Sequence, residues 1–181
     1  MGSSPEHHTQ GFSDMIDQSL FREAMSHIGA AVSIITTDGE AGRAGMTVTA
    51  VCSVTDSPAT LLVCINRGSR SHDTFLHNGV ICVNVLSGTH QELSGLFASK
   101  ASQEERFAKA TWHKRVTGAP VLQDAIVSFD CQIDSITDIG THSIIFGAIK
   151  DIEIRHNDPA LVYFRREYHT LGNSQQGNFF L

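Results

Sequence analysis

"GMTVTAVCSVTDSPATLLVCIN", residues 45–66, is the stretch on which the fold turns. Two runs of alternating apolar and small polar residues flank Asp56-Ser57-Pro58, so it predicts two β-strands joined by a tight turn. Thr47, Thr49, Ser53 and Thr55 occupy odd positions of the first run and share one face, because side chains alternate along a strand. Two readings of that face stand open. Branched threonines suit a half-exposed pleated surface. A row of small hydroxyls beside Ala50 and Cys52 also lets backbone approach a flat, polar or phosphorylated ligand.

On the N-terminal side, "QSLFREAMSHI" (18–28) sets Leu20, Phe21, Ala24, Met25 and Ile28 at helical spacing, which predicts one amphipathic helix. "AAVSIITT" then reads as a strand, and "DGEAGRAG" as the turn returning the chain into the quoted stretch. On the C-terminal side, "VICVNVLS" is a further strand. The intervening "RGSRSHDTFLHNG" predicts a loop and a short helix ended at Gly79. "HQELSGLFAS" predicts another short helix, and 103–120 reads as polar and irregular. Two long alternating runs follow, broken at Asp138 to Thr141, and "PALVYFRREYHTL" ends the ordered part.

Six or seven strands without regular β-α-β alternation predict a mainly β, closed or nearly closed antiparallel barrel, which leaves few unpaired edges. The expected organisation is a disordered segment over 1–17, one domain over 18–171 and a tail over 172–181.

The chain has 181 residues, enough for a core without disulfides or metals, and a net charge of −6 with no long basic run. Nucleic acid and anionic membrane surfaces are therefore not expected partners. Cys52, Cys64, Cys82 and Cys131 lie far apart in apolar runs, as buried thiols of a reducing cytoplasm do. No apolar run approaches the ~18 residues of a membrane helix. Glycine-rich nucleotide loops, a nucleophile elbow and zinc-protease spacing are all missing from the sequence. Ten histidines form no compact ligand set, so no metal is expected.

What remains is a series of polar insertions at strand ends: Thr47 to Thr55, "NRGSRS" (66–71), "GTHSIIFG" (140–147) and "RREYH" (165–169). With "FREAMSHIGAAVSIITT", "VNVLS", "LFASK" followed by "RF", and "LVYFRREYHTL", this ordered series resembles the short-chain flavin reductases, the NAD(P)H:flavin oxidoreductase components of two-component monooxygenases. The likeness spans about 18–171.

The resemblance implies a Greek-key split β-barrel, a homodimer, and FMN or FAD held in a groove near the dimer interface. It implies that Thr47, Val48, Thr49 and Ala50 lie along the isoalloxazine and ribityl chain, and that Ser53, Asn66, Arg67, Ser69 and Ser71 serve the ribityl and phosphate end. His142, Arg165 and Tyr168 are implied to position NADH or NADPH. Hydride passes directly between two stacked rings, so no protonatable catalytic residue is expected. In the family an Asp usually precedes that histidine, where this chain has Thr141. A separate oxygenase is the implied recipient of reduced flavin. The alternative is a non-catalytic barrel that retains FMN as electron carrier or store.

Overall fold

The structure, a computed structural model, describes residues 16–156 and 158–172. Residues 1–15 and 173–181, which include most of the segments expected to flank the domain, lie outside the described residues. The first element is α1, Gln18–Ser26, capped by Asp17, whose carboxylate accepts the Ser19 and Leu20 N–H groups. Next come β1 (Ala30–Ala31), β2 (Ser33–Thr37), β3 (Ala44–Val48), β4 (Val51–Asp56) and β5 (Ala59–Asn66).

Helix α2, His72–Asn78, ends at Gly79 in the left-handed conformation (φ 66°), as its sequence predicts. β6 (Val80–Val85), a 3-10 turn (Gly88–His90), α3 (Gln91–Ala98) and α4 (Gln103–Phe107) follow. β7 (Trp112–Lys114), β8 (Pro120–Leu122), β9 (Val127–Ile139), β10 (His142–Ile154), β11 (Ala160–Phe164) and β12 (Glu167–Leu171) complete the chain.

The quoted stretch holds three strands rather than two. β3 pairs with β2 and β4 with β5, and these pairs form opposite edges of a seven-stranded antiparallel sheet ordered β3-β2-β6-β9-β10-β5-β4. Val48 and Val51 are three residues apart, a span of at most roughly 11 Å. The two edges therefore meet at Thr49-Ala50 and the sheet curls into a barrel. At this corner Val51 N donates to Thr49 O at 3.0 Å and Cys64 N to Ala50 O at 3.1 Å. No glycine or proline marks the corner in the sequence, because closure, a long-range event, makes the bend.

One core fills the barrel, with Ile35, Val63, Ile65, Phe75, Ile81, Val83 and Ile145 fully buried. A second lies outside it, where Val32, Ile34, Leu86, Phe97, Phe107 and Leu161 pack under α3, α4 and the sheet β1-β11-β12. The segment read as irregular, 103–120, contains α4 and β7. Its capping box sets Ser102 Oγ against the Glu105 N–H and the Glu105 carboxylate against the Ser102 N–H. Apolar side chains of α1 and the residue just beyond it find no cover among the described residues: Leu20, Phe21 and Met25, with Ile28, are between 47% and 63% exposed.

Candidate flavin and nucleotide site

Closure of the barrel builds a shelf at the corner. Thr47, Val48, Thr49 and Ala50 line one side of a groove of about 380 Å³, with Cys64 and Asn66 from β5, and His142, Tyr163 and Tyr168 opposite. Thr47 Oγ1 donates to Ser94 O at 2.7 Å, and Ser94 Oγ lies 2.9 Å from the Tyr168 hydroxyl, so both walls are tied to α3. The Tyr163 and Tyr168 rings meet edge to face at 5.3 Å. Burial, then the nearby Cys52 thiol, push the Cys64 thiol up, which keeps it neutral against the shelf. The walls combine apolar and hydroxyl side chains with the Asn66 amide and the His142 imidazole, a mainly uncharged lining suited to a flat conjugated ring.

Met46, Thr47 and Ala98 are shared with a second groove of about 510 Å³ behind the shelf. Ser69 and Ser71 line it, as expected, together with four cations: Arg43, Arg70, Lys100 and Arg106. Among the described residues no carboxylate lines it, in a chain whose net charge is −6. Arg106 is 6% exposed; its Nη1 donates to Gly45 O and its Nη2 to Ser99 O, both at 2.7 Å. Its Nε is buried and lacks a hydrogen-bond partner among the described residues.

Desolvation, and then the Arg70 charge, push the Arg106 pKa down. An anion in this groove would relieve both effects. Gln103 fixes the wall by accepting the Gly45 N–H at 2.9 Å and donating to Ser71 Oγ at 3.1 Å. Position 45 requires glycine for packing, since a Cβ there would lie 2.7 Å from Phe97 Cε1 and 3.2 Å from Ile35 O.

A third groove, of about 490 Å³, begins at Asn66 and is lined by Arg67, Gly68, His72, Asp73, Gly140 and Thr141. Arg67 thus faces away from the four-cation groove, with its Nε 3.7 Å from Asp138 Oδ2. His142 opens β10 beside it, and Thr141 Oγ1 lies 2.9 Å from His142 Nδ1. The Thr141 hydroxyl is therefore the group within hydrogen-bond distance of this ring at the position where an Asp was expected.

Two expected residues stand apart from all three grooves. Ser53 lies on the exposed edge strand β4, opposite Leu61. Arg165 sits at the tip of the β11–β12 hairpin, stacked over Phe164, with its N–H donating to Ser26 O at 2.7 Å. Residues the sequence reading did not single out for the site are Arg43, Lys100, Gln103, Arg106 and Tyr163. The signal for part of this set was Ser102-Gln103-Glu104-Glu105, a helix-start pattern that places Gln103 and Arg106 on one short helix.

A family model described as a flavin reductase like domain matches residues 25–172. FMN reductase (NADH) RutF of Escherichia coli strain K12 is 55% identical over 159 residues, which cover 87% of this chain and 96% of that protein. A crystal structure from Haemophilus somnus 129PT superposes with a TM-score of 0.85 at 49% identity, covering 86% of this chain and all of that one. BorF, the flavin reductase component of a bacterial two-component tryptophan halogenase, superposes with a TM-score of 0.81 at 27% identity, covering 87% and 100% respectively.

Proposed function

The chain belongs to the family of flavin reductase-like domains, and from that premise we propose that it transfers hydride from NADH to FMN and supplies the reduced flavin to a separate oxygenase. Relatives carry the same chemistry in their names, FMN reductase (NADH) and the reductase component of a two-component halogenase. FMN brings the hydride-accepting ring; the chain's residues bind, orient and keep water out. On this reading Thr47, Val48, Thr49 and Ala50 take the ring and ribityl chain. Ser69 and Ser71, with Arg70, Lys100 and Arg106, take the phosphate. His142 and Tyr168 stand over the nicotinamide side.

The observation that carries the reading is the carboxylate-free four-cation groove joined to a ring-sized shelf through Met46, Thr47 and Ala98. That pairing suits a ring with one terminal phosphate monoester. Anaerobic titration with FMN, FAD and riboflavin, followed by stopped-flow mixing with NADH or NADPH, tests it. FMN is expected to bind most tightly and NADH to bleach it. FMN that binds but is never reduced would favour the flavin-store alternative.

A homodimer is part of the same proposal, supported by the uncovered apolar side chains of α1 and by β4, an edge strand exposed on both faces. Sedimentation of a fully active monomer at assay concentration would count against it. A cytoplasmic location accords with the unpaired Cys52, Cys64, Cys82 and Cys131, and among the described residues no helix is long and apolar enough to cross a membrane. Fractionation of expressing cells checks the location.

A further inference from the structure

Beneath the third groove runs a chain of hydrogen bonds that ring and phosphate binding do not use. His72, at the start of α2, is buried; its Nδ1 lies 2.8 Å from Asp73 Oδ1 and its Nε2 2.8 Å from Ser143 Oγ. Ser143 donates to Asp138 Oδ1 at 2.6 Å, and the other oxygen of Asp138 faces Arg67. Arg67 returns to the same turn: its N–H donates to Thr141 O at 2.9 Å and its Nη1 to Gly140 O at 3.4 Å.

Asp73, His72 and Ser143 stand in the order of a hydrolase triad, but the chemistry differs. Ser143 is 0% exposed and its only hydrogen is committed to Asp138, so it cannot attack a substrate. Ionised carboxylates only accept hydrogen bonds. Both ring nitrogens of His72 lie within hydrogen-bond distance of a partner, Asp73 on one side and Ser143 on the other. The His72 ring links Asp73 to Ser143 and, through the Ser143 hydroxyl, to Asp138.

What this bridge holds is the tip of the β9–β10 hairpin. Every residue from Asp134 to His142 is exposed, and Ser143 is the first buried one, so side-chain packing does little to fix the tip. Yet the tip carries His142 and the carbonyls that hold Arg67. We propose that Asp73, His72, Ser143 and Asp138 are positioning residues that hold this tip in the pose that receives NADH, so that affinity for NADH, and not for FMN, runs through them. The inference rests on the hydride-transfer reading above.

Ser143→Ala cuts the chain in the middle at little steric cost. The KM for NADH is expected to rise about tenfold, the effect of one lost buried hydrogen bond, while kcat and the FMN dissociation constant stay within about twofold. His72→Gln keeps an amide donor toward Ser143 and should retain most of the NADH affinity that His72→Leu loses. Hydrogen exchange supplies a readout free of turnover: the Arg67 amide, bonded to Thr141 O, should exchange faster in Ser143→Ala.

Parallel losses of FMN and NADH affinity with a lowered melting temperature would mean a merely structural role and overturn the proposal. So would an unchanged KM with unchanged exchange, provided the wild type oxidises NADH. A wild type that binds FMN but never oxidises NADH would bring down the hydride-transfer reading first, and this inference with it.

Discussion

The groove behind the shelf and the groove at the β9–β10 turn have similar volumes, about 510 and 490 Å³, yet their charges are arranged in opposite ways. Behind the shelf, Arg43, Arg70, Lys100 and Arg106 converge with no carboxylate among the described lining residues, and Arg106 keeps a buried N–H without a partner among the described residues. At the turn, Arg67 already faces Asp138, and His72 already faces Asp73. Converging like charges, one of them buried, are a physical mark of a site that an outside group completes. The first groove thus supports the proposed reading, in which an anionic group of the ligand completes it. The second is built around internal order, and its charges hold backbone in place.

The largest expected effect breaks the first groove. Arg106→Met removes the buried cation and strands the Gly45 and Ser99 carbonyls, so FMN affinity should fall about 100-fold, or ~3 kcal/mol, with a lower melting temperature. Riboflavin, which lacks the phosphate, should lose less; equal losses for both ligands would show that Arg106 serves packing alone. Arg70 is exposed, and Arg70→Ala removes one structural contact, its hydrogen bond to Lys100 O. Fluorescence titration should give about a tenfold weaker FMN, ~1.4 kcal/mol, and riboflavin unchanged.

Arg67→Ala sharpens the contrast. Arg67 is half-exposed and already faces Asp138, so the FMN dissociation constant should move by less than about twofold. An effect as large as that of Arg70→Ala would erase the distinction between the two grooves.

The smallest effect is one of pH. Ser102 donates from both its N–H and its hydroxyl to Glu105 and holds that carboxyl below its ordinary range. A depressed folded pKa contributes stability that is present above the unfolded value and lost as pH falls through the folded one. Below the ordinary glutamate value of about 4.3, α4 should therefore loosen and release Arg106. FMN affinity followed down through that window should decline more gently in Glu105→Gln, which has no carboxyl there to titrate.

Much of this was legible in the residues because the signals were local. The α1 stripe, the Gly79 stop of α2 and the long β9–β10 hairpin each follow from a pattern within about a dozen residues. The corner at Thr49-Ala50 was not legible, since its cause is the meeting of two sheet edges that are far apart in strand order. Nor was the turn at Arg165-Arg166, where non-glycine residues hold φ of 50° and 65°. That turn is held by contacts distant in sequence, the Arg165 N–H to Ser26 O and Arg166 to Glu23 at 2.7 Å. For the site, the hydroxyl strand pointed to the shelf. The four cations of the groove behind it come from places far apart in sequence, Arg43 before β3, Arg70 before α2, Lys100 between α3 and α4, and Arg106 on α4, where a capping pattern was present but charge alone gives no direction.

The two-residue corner ties ligand binding to the folding equilibrium itself. Thr49 and Ala50 line the shelf only while the sheet edges are joined, so a chain with its barrel open has nowhere to seat a ring. Any ligand of the shelf then binds the native state alone. It adds RT ln(1 + [L]/Kd) to the free energy of unfolding, about 2.7 kcal/mol at a concentration one hundred times Kd. A cell poor in flavin would hold this protein closer to its unfolding threshold, and its abundance would follow the flavin supply.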